Sequence, residues 1–507
     1  MRSIATGLIL FTGLHALGLG PALWLRARAE LPVRYLALLT VASTAILSYG
    51  VFWIAVVAPR ARSIAVVVAA AASLAIALRL WRQERPSPAL RLDAWVPSLI
   101  GGALAGVWLA PLLASPPIIN DRLSWNLPVD NILPGLFAHH VVTGGGLRPF
   151  GTVGADRPTE RPPLQAAVVV TVGTMARGVH EYEWLSTICQ AQWFPALWLL
   201  GAASGLSGRR LAFCLAACAL SGFFFVNTVY AWPKLFAASL MLGAFAMALE
   251  LPSVNATANR IRTIAVVTLC ALAILAHPGP AFTLIVLPVC WPALRPIVRL
   301  RPSWPAIGSC AIVATALFAP WLAYQVLVDP PTGTLVRDHL ADGRKEGTAL
   351  QAMVAANLDR PFGEHVRVRL GNLAAQLGDP TVALWPFPRQ RAQQEQFFHH
   401  GGSLGLLLVG LLALFTPGPY TKDRPMDITR RLVVLAVVAL SAWSLLEYEA
   451  GAAVIHSGSP VTTALLFYGG AVGLTRLPAS LQLVALTLHG IAFLVIWLVP
   501  VLQSAAP

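Results

Sequence analysis

Residues 118–164 read IINDRLSWNLPVDNILPGLFAHHVVTGGGLRPFGTVGADRPTERPPL, and this stretch decides how the chain is read. It is the first long polar interruption in a very apolar sequence. It carries Asp121, Asp130, Asp156 and Glu160 and closes on a Pro-Pro pair that opens another apolar run. Hydrocarbon penalises a carboxylate strongly, so an acid held at a membrane face usually has a task. Fold and function both turn on which side of a membrane this loop faces and what its acids do.

The membrane is read from composition. Of 507 residues, 57% are hydrophobic and only 11% charged, against about 25% charged in soluble domains; mean hydropathy is +0.68. Apolar runs of about 17–25 residues recur along the chain, each long enough to cross roughly 30 Å of hydrocarbon. The period-two alternation of a β-barrel is absent. The expected fold is therefore an all-α, polytopic transmembrane helical bundle. Fourteen spans are expected, near 4–25, 35–57, 64–80, 95–114, 183–206, 211–228, 234–251, 263–277, 281–295, 303–327, 401–416, 431–447, 461–475 and 478–502. The first of these is too long for a signal peptide and has no small-residue cleavage site, so it is read as a retained helix. The apolar run 162–178 is short and opens with Pro-Pro. It is read as an amphipathic helix lying on the outer surface.

Basic residues test that exclusion, because short cytoplasmic loops are enriched in Lys and Arg. With residues 118–164 outside, the short inner loops hold nineteen Lys and Arg. The short outer segments hold four: Arg2, Arg60, Arg62 and Lys234. Counting 162–178 as a span would put the later basic loops outside. Two long outer loops remain, about 115–182 and 328–400, with five basic and five acidic residues in the first and eight of each in the second. The net charge of +14 thus lies on the cytoplasmic face, where it meets anionic lipid. It is not a nucleic-acid footprint. The six cysteines fall inside apolar runs with no CxxC pair, which suggests neither disulfides nor a zinc site.

Four regions follow: additional N-terminal helices over 1–114, a core over 115–327 that includes the first outer loop, the second outer loop over 328–400, and C-terminal helices over 401–507. In the second loop, short helices are expected near 347–358 and 364–376. In the first, residues 129–144 read as an amphipathic helix with Leu133, Leu136, Phe137, His140 and Val141 on one face. Asp130 stands at its start, as an N-terminal cap or as a functional acid. His139 and His140 are adjacent and point to different faces; with His399 and His400 they offer no metal-ligand spacing. Glu183, Glu250, Glu447 and Glu449 all sit near span ends. An ion-coupled transporter places such groups near mid-membrane, so attention moves to the outer surface.

Asp130 opening an interfacial helix, Gly144 fourteen residues on, and E-R-P-P-L at 160–164 resemble the first external loop of GT-C glycosyltransferases. The nearest pattern is that of the lipid A aminoarabinose transferase and protein O-mannosyltransferase group. The resemblance covers mainly 118–250 and implies a GT-C-like fold. Asp130 then takes the place of the family's catalytic Asp, the base that activates the acceptor, and Asp121 in D-R-L-S-W-N-L-P is its rival. Three features depart from the family: Asn131 where a second acid is common, three extra spans before the core, and Ala231-Trp232-Pro233-Lys234 where an acid is usual.

Sugar transfer from a polyprenyl-phosphate donor also needs cations near the departing phosphate and a groove open to the bilayer. Lys234, Arg337, Arg344 and Arg367, with Lys345 and Arg369, are read as phosphate partners. Glu160 and Arg161 are read as substrate contacts or as a solvated charge cluster, and His277 in AHPGP as a further contact or a helix cap. Trp125, Tyr230, Trp232 and Trp385 are possible sugar platforms. The expected activity is an inverting glycosyltransfer at the outer face of the cytoplasmic membrane, to a glycan, lipid or protein acceptor. No cofactor is implied, and a divalent metal stays open. The alternative is a non-enzymatic protein, a lipid-linked saccharide flippase or an envelope-polysaccharide assembly component, with a polar cavity deep among its helices.

Overall fold

A chain this apolar must pair its own backbone groups wherever lipid surrounds it, and the helix does so within one segment. The structure, a computed structural model, describes residues 2–83, 91–113, 131–152, 157–175, 180–250, 252–300, 302–330, 333–344, 346–377, 404–416, 423–449 and 460–495. Among them every regular element is helical. The chain opens with α1 (Arg2–Ala16), α2 (Leu19–Arg28), α3 (Leu36–Val57), α4 (Arg62–Gln83) and α5 (Val96–Leu113). It continues through α6 (Leu133–Val142), α7 (Leu164–Val172), α8 (Glu181–Gln190), α9 (Trp193–Ser204), α10 (Gly208–Ala219) and α11 (Gly222–Val229). Next come α12 (Lys234–Leu249), α13 (Ala256–Ala276), α14 (Pro280–Ile285), α15 (Leu287–Leu294) and α16 (Trp304–Leu327). The second loop carries α17 (Thr334–Leu340), α18 (Ala349–Asp359) and α19 (Phe362–Ala375), before α20 (Leu407–Phe415), α21 (Arg424–Leu446), α22 (Pro460–Leu474) and α23 (Ala479–Phe493).

Among the described residues, six stretches are long and apolar enough to cross a membrane: Ser3–Arg28, Val33–Val57, Pro59–Gln83, Ala256–Ala276, Trp304–Leu327 and Arg424–Leu446. A seventh arises if α10 and α11, bent by 62°, count as one broken span. Ser221 sits at that bend and returns its hydroxyl to the Ala217 carbonyl at 2.9 Å, a local bond that competes with the helical ladder. Other expected spans take the form of shorter apolar helices. The 183–206 run divides into α8 and α9, and the 281–295 run into α14 and α15. Pro288 lies at the start of α15 and cannot supply the backbone donor a continuous helix needs.

Two helices identify the solvent. In their most apolar windows α4 and α16 are only 6% buried, and they expose Ile64, Val67 and Leu74, and Trp304, Ile312 and Leu327. Water penalises exposed apolar area by about 25 cal/mol per Å², so such surfaces belong against hydrocarbon. This is a multi-pass helical membrane protein. Inside the bundle, α12 is the hub, buried along nearly its whole length and packed on α9, α13 and α22. The tightest crossing is α20 on α22. There Gly410, Gly470 and Gly473 bring backbone against backbone, and a Cβ on Gly473 would overlap the Gly410 carbonyl.

The helix expected over 129–144 forms at Leu133–Val142 and buries Leu133, Phe137 and Val141; Leu136 and His140 are half-buried. Ile132 holds the N-cap position, and its apolar side chain makes no capping bond. The helices of the second loop fall at Ala349–Asp359 and Phe362–Ala375, close to expectation. Helix α7 requires a correction. With its following 3-10 turn, Gly173–Met175, it is too short to span, but it is no amphipathic surface helix. Leu164 to Val168 and Val170 to Val172 are buried, against α3, α6, α8 and α13. Its sequence AAVVVTV has no polar face to offer water. Its one large polar group, Gln165, is satisfied inside by Ser186 Oγ at 3.0 Å and the Ala231 carbonyl at 2.8 Å.

The connections read as inner and outer segregate to different places. The α2–α3 and α12–α13 turns meet where Arg34 and Tyr35 bind Glu250, the tyrosine hydroxyl at 2.9 Å, and Arg262 donates to the Ala29 carbonyl at 3.2 Å. Residues 157–163 and 333–340 instead gather with the start of α12 and the ends of α13, α16 and α21.

Candidate functional site

The E-R-P-P segment is fixed before it reaches the cavity. Arg157 donates to the Pro330 carbonyl at 2.9 Å and lies 4.0 Å from the Asp329 carboxylate. The Thr159 hydroxyl donates to Asp329, which is buried at the end of α16, and the Thr159 carbonyl accepts from Trp321 Nε1 at 3.4 Å. A 3-10 turn, Pro158–Glu160, then places Glu160 inward. A buried carboxylate survives only with compensating partners, and three cationic side chains share its cavity.

The first is Lys234, at the first position of α12 and 3% exposed. Its ammonium lies over the Trp232 ring, 3.7 Å from the centroid, a cation–π contact that offsets part of its desolvation. The turn that delivers it is strained. Ala231 has φ of 62°, a left-handed conformation for a residue with a Cβ. Its carbonyl is held there by Gln165, and such over-determined strain clusters at functional positions. The second is Arg161, half-buried beside Pro162. The third, when protonated, is His277, where α13 ends and the backbone turns extended. Its Nδ1 accepts from the Gly279 amide at 3.1 Å, and its ring meets Trp232 edge-on at 5.7 Å.

Glu160, Arg161, Lys234 and His277, four of the residues singled out from sequence, thus line one cavity of about 220 Å³. Trp232, Phe282, Trp321 and Trp443 make its walls mostly apolar, and Gln325 and His339 add polar atoms. That combination suits a ligand with a charged head and flat apolar faces. The four arginines expected from the second loop do not join it: Arg369 donates to the Glu447 carbonyl, and to Asn357 Oδ1 at 2.7 Å. Arg337 binds the Arg344 and Gly347 carbonyls at 3.0 and 2.6 Å and organises its own loop. Arg344 pairs with Asp359 at 2.6 Å. Arg367 is exposed on α19. In each case a local partner or open solvent was nearer than the cavity. Tyr230 is a core residue rather than a platform. His140 bonds the Arg148 carbonyl at 3.1 Å and closes the turn after α6. Asp121, Trp125, Asp130, Lys345, Trp385, His399 and His400 lie outside the described residues.

Sequence reading missed a pair behind the cavity wall. His339, on α17, lines the cavity, and its Nδ1 is 3.6 Å from Oε1 of Glu447, one residue past the end of α21. Glu447 is fully buried. Burial raises its carboxyl above the usual carboxylate range, and His339 pulls in the opposite direction. The available signal was an acid directly following a long apolar run, with no basic residue nearby in sequence. No protein-family model, curated protein or solved structure matches this chain.

Proposed function

We propose that this protein is an inverting GT-C-type glycosyltransferase of about fourteen spans, working at the outer face of the cytoplasmic membrane. The cavity between the two long loops holds the sugar-phosphate end of a polyprenyl-linked donor. One observation carries the reading: E-R-P-P, W-P-K and the AHPGP histidine, far apart in sequence, share one cavity that has tryptophan walls and a buried lysine. Polar groups gathered where the long loops meet the helix ends fit transfer better than flipping, which needs a polar path deep among the helices.

The chemistry follows from charge. An acceptor hydroxyl attacks the anomeric carbon, its proton passes to a carboxylate, and the bond from carbon to phosphate oxygen breaks. Asp130, with Asp121 as rival, is assigned the proton by resemblance. Negative charge grows on the departing polyprenyl phosphate, and Lys234 and Arg161 are placed in the cavity to meet it. Fixed charges in a water-poor site act most on charge that develops in the transition state. Trp232, Trp321 and Trp443 offer faces for the sugar and the first isoprenoid units. The decisive experiment supplies purified protein with radiolabelled mannosyl- and aminoarabinosyl-polyprenyl phosphate in proteoliposomes of a total membrane-lipid extract. Label leaving the carrier supports transfer. Label that crosses the bilayer still attached to its carrier supports the flippase alternative.

A further inference from the structure

We propose that His339, held against the buried Glu447, positions the phosphate of the lipid-linked donor in the cavity. The proposal rests on the transferase reading for its ligand and adds to it a pH-dependent contact.

The geometry is built, not incidental. The turn after α21 is gripped from three elements. The Tyr448 amide donates to the His339 carbonyl at 2.8 Å, which ties the turn directly to α17. The Glu447 carbonyl receives Arg369 and Asn372 of α19, the latter at 3.0 Å. Arg360 lies 3.6 Å over the Tyr448 ring and donates to its carbonyl at 2.7 Å. These bonds use the backbone of Glu447 and leave its carboxylate to His339. Neither carboxylate oxygen has a hydrogen-bond donor within bonding distance. A fully buried carboxyl in that state is costly, and holding the turn together does not require an acid. What the acid can do is favour a proton on the imidazole 3.6 Å away.

His339 in turn faces the cavity across Trp443, with ring centroids 6.2 Å apart. Other ionisable groups bear on the pair. Arg369 and Glu449 act on Glu447 with opposite sign, and Glu160, Arg161, Lys234 and His277 share the cavity with His339. A protonated His339 therefore adds positive charge beside Lys234 and Arg161, only partly offset by Glu160. A phosphodiester donor carries one negative charge and its phosphate gains a second as the sugar leaves. The contact strengthens along the reaction, so it should act on turnover more than on donor binding.

Binding can be read without catalysis. The probe is farnesyl methyl phosphate, a diester whose single charge is constant between about pH 5 and 8, where imidazole titrates. Wild-type affinity should fall about tenfold across that range as pH rises. Glu447→Gln should weaken binding at the acidic end of the range, since the partner that holds His339 is gone. His339→Gln should bind weakly and with a shallower slope, His277 being the other imidazole in the cavity, and His339→Lys should bind tightly at both ends of the range. His339→Lys also guards against a result that reflects misfolding. Unchanged binding at the acidic end in Glu447→Gln, or the full wild-type slope in His339→Gln, overturns the proposal. Normal probe binding with this pH profile, but no label leaving the carrier, would sink the transferase reading and leave the His339 contact standing.

Discussion

At the scale of single residues, Glu447 links stability to function. Burial raises its carboxyl, so the folded protein keeps that proton to higher pH than the unfolded chain does. The resulting stabilisation is complete below the unfolded value of about 4.3 and is lost as pH rises through the folded value. Glutamine cannot ionise. Glu447→Gln should therefore melt at or slightly below the wild-type temperature near about pH 4.5 and above it near about pH 8. Thermal unfolding in detergent at the two pH values measures this, and parallel curves would show that the carboxyl does not titrate with folding. A variant that gains stability while losing the partner of His339 is the trade expected where an acid is retained for function. The complementary test concerns the acid that resemblance assigns as base. Asp130→Asn preserves size but cannot accept a proton, so transfer should drop roughly 10²–10⁴-fold while farnesyl methyl phosphate still binds. If Asp121→Asn fails instead, the base moves to Asp121; full activity in both removes the carboxylate mechanism. Lys234 and His277 were legible in sequence because each breaks an apolar context next to Pro, and Glu160 and Arg161 because they lead into the Pro-Pro pair that closes the polar interruption. The His339–Glu447 pair was not, since only folding brings the second loop to the end of α21.

At the scale of elements, hydropathy located helical segments well and described their continuity less well. Composition averages over a window, whereas a break is set by one or two residues: Ser221 between α10 and α11, Pro288 at the start of α15. Helix α7 shows the same limit from another side. Proline before it and its short length marked it as non-spanning, but whether it is covered by lipid headgroups or by protein depends on neighbours that no window contains. Close helix approach also escapes hydropathy and is carried by glycine. On α22, a Cβ at Gly473 would meet only backbone of Gly410, which cannot rotate away. Gly473→Ala should destabilise by about 1–3 kcal/mol. Gly50 on α3 has nothing within 4 Å of a built Cβ, so Gly50→Ala should be neutral or gain about 0.5–1 kcal/mol from helix propensity. Melting temperatures of the two variants separate the effects, and equal losses would contradict the α20–α22 contact.

At the scale of the whole molecule, the orientation rests on charge counting, and the fold supplies an independent check on its consistency. Loops assigned to one side by their arginines should meet one another and never meet the loops of the other side. Arg34, Glu250, Arg262 and Glu30 do cluster, and the segments that carry Glu160, Lys234, His277 and His339 converge separately. An inverted count beyond residue 170 would have split both of these groups across the membrane. This grouping does not say which side is outside, but accessible cysteines can. The six native cysteines are buried or half-buried, which keeps background labelling low. Thr152, Asp342 and Arg209 are exposed, the first two in the long loops and the third in the first turn of α10. Introduced singly as cysteine in intact cells, Thr152→Cys and Asp342→Cys should react with a membrane-impermeant maleimide, and Arg209→Cys only after permeabilisation. The reverse pattern would place the Lys234 cavity on the cytoplasmic side and end the case for transfer at the outer face. Labelling of Thr152→Cys and Arg209→Cys from the same side would mean that an even number of spans separates the two, and the charge count itself would have to be abandoned.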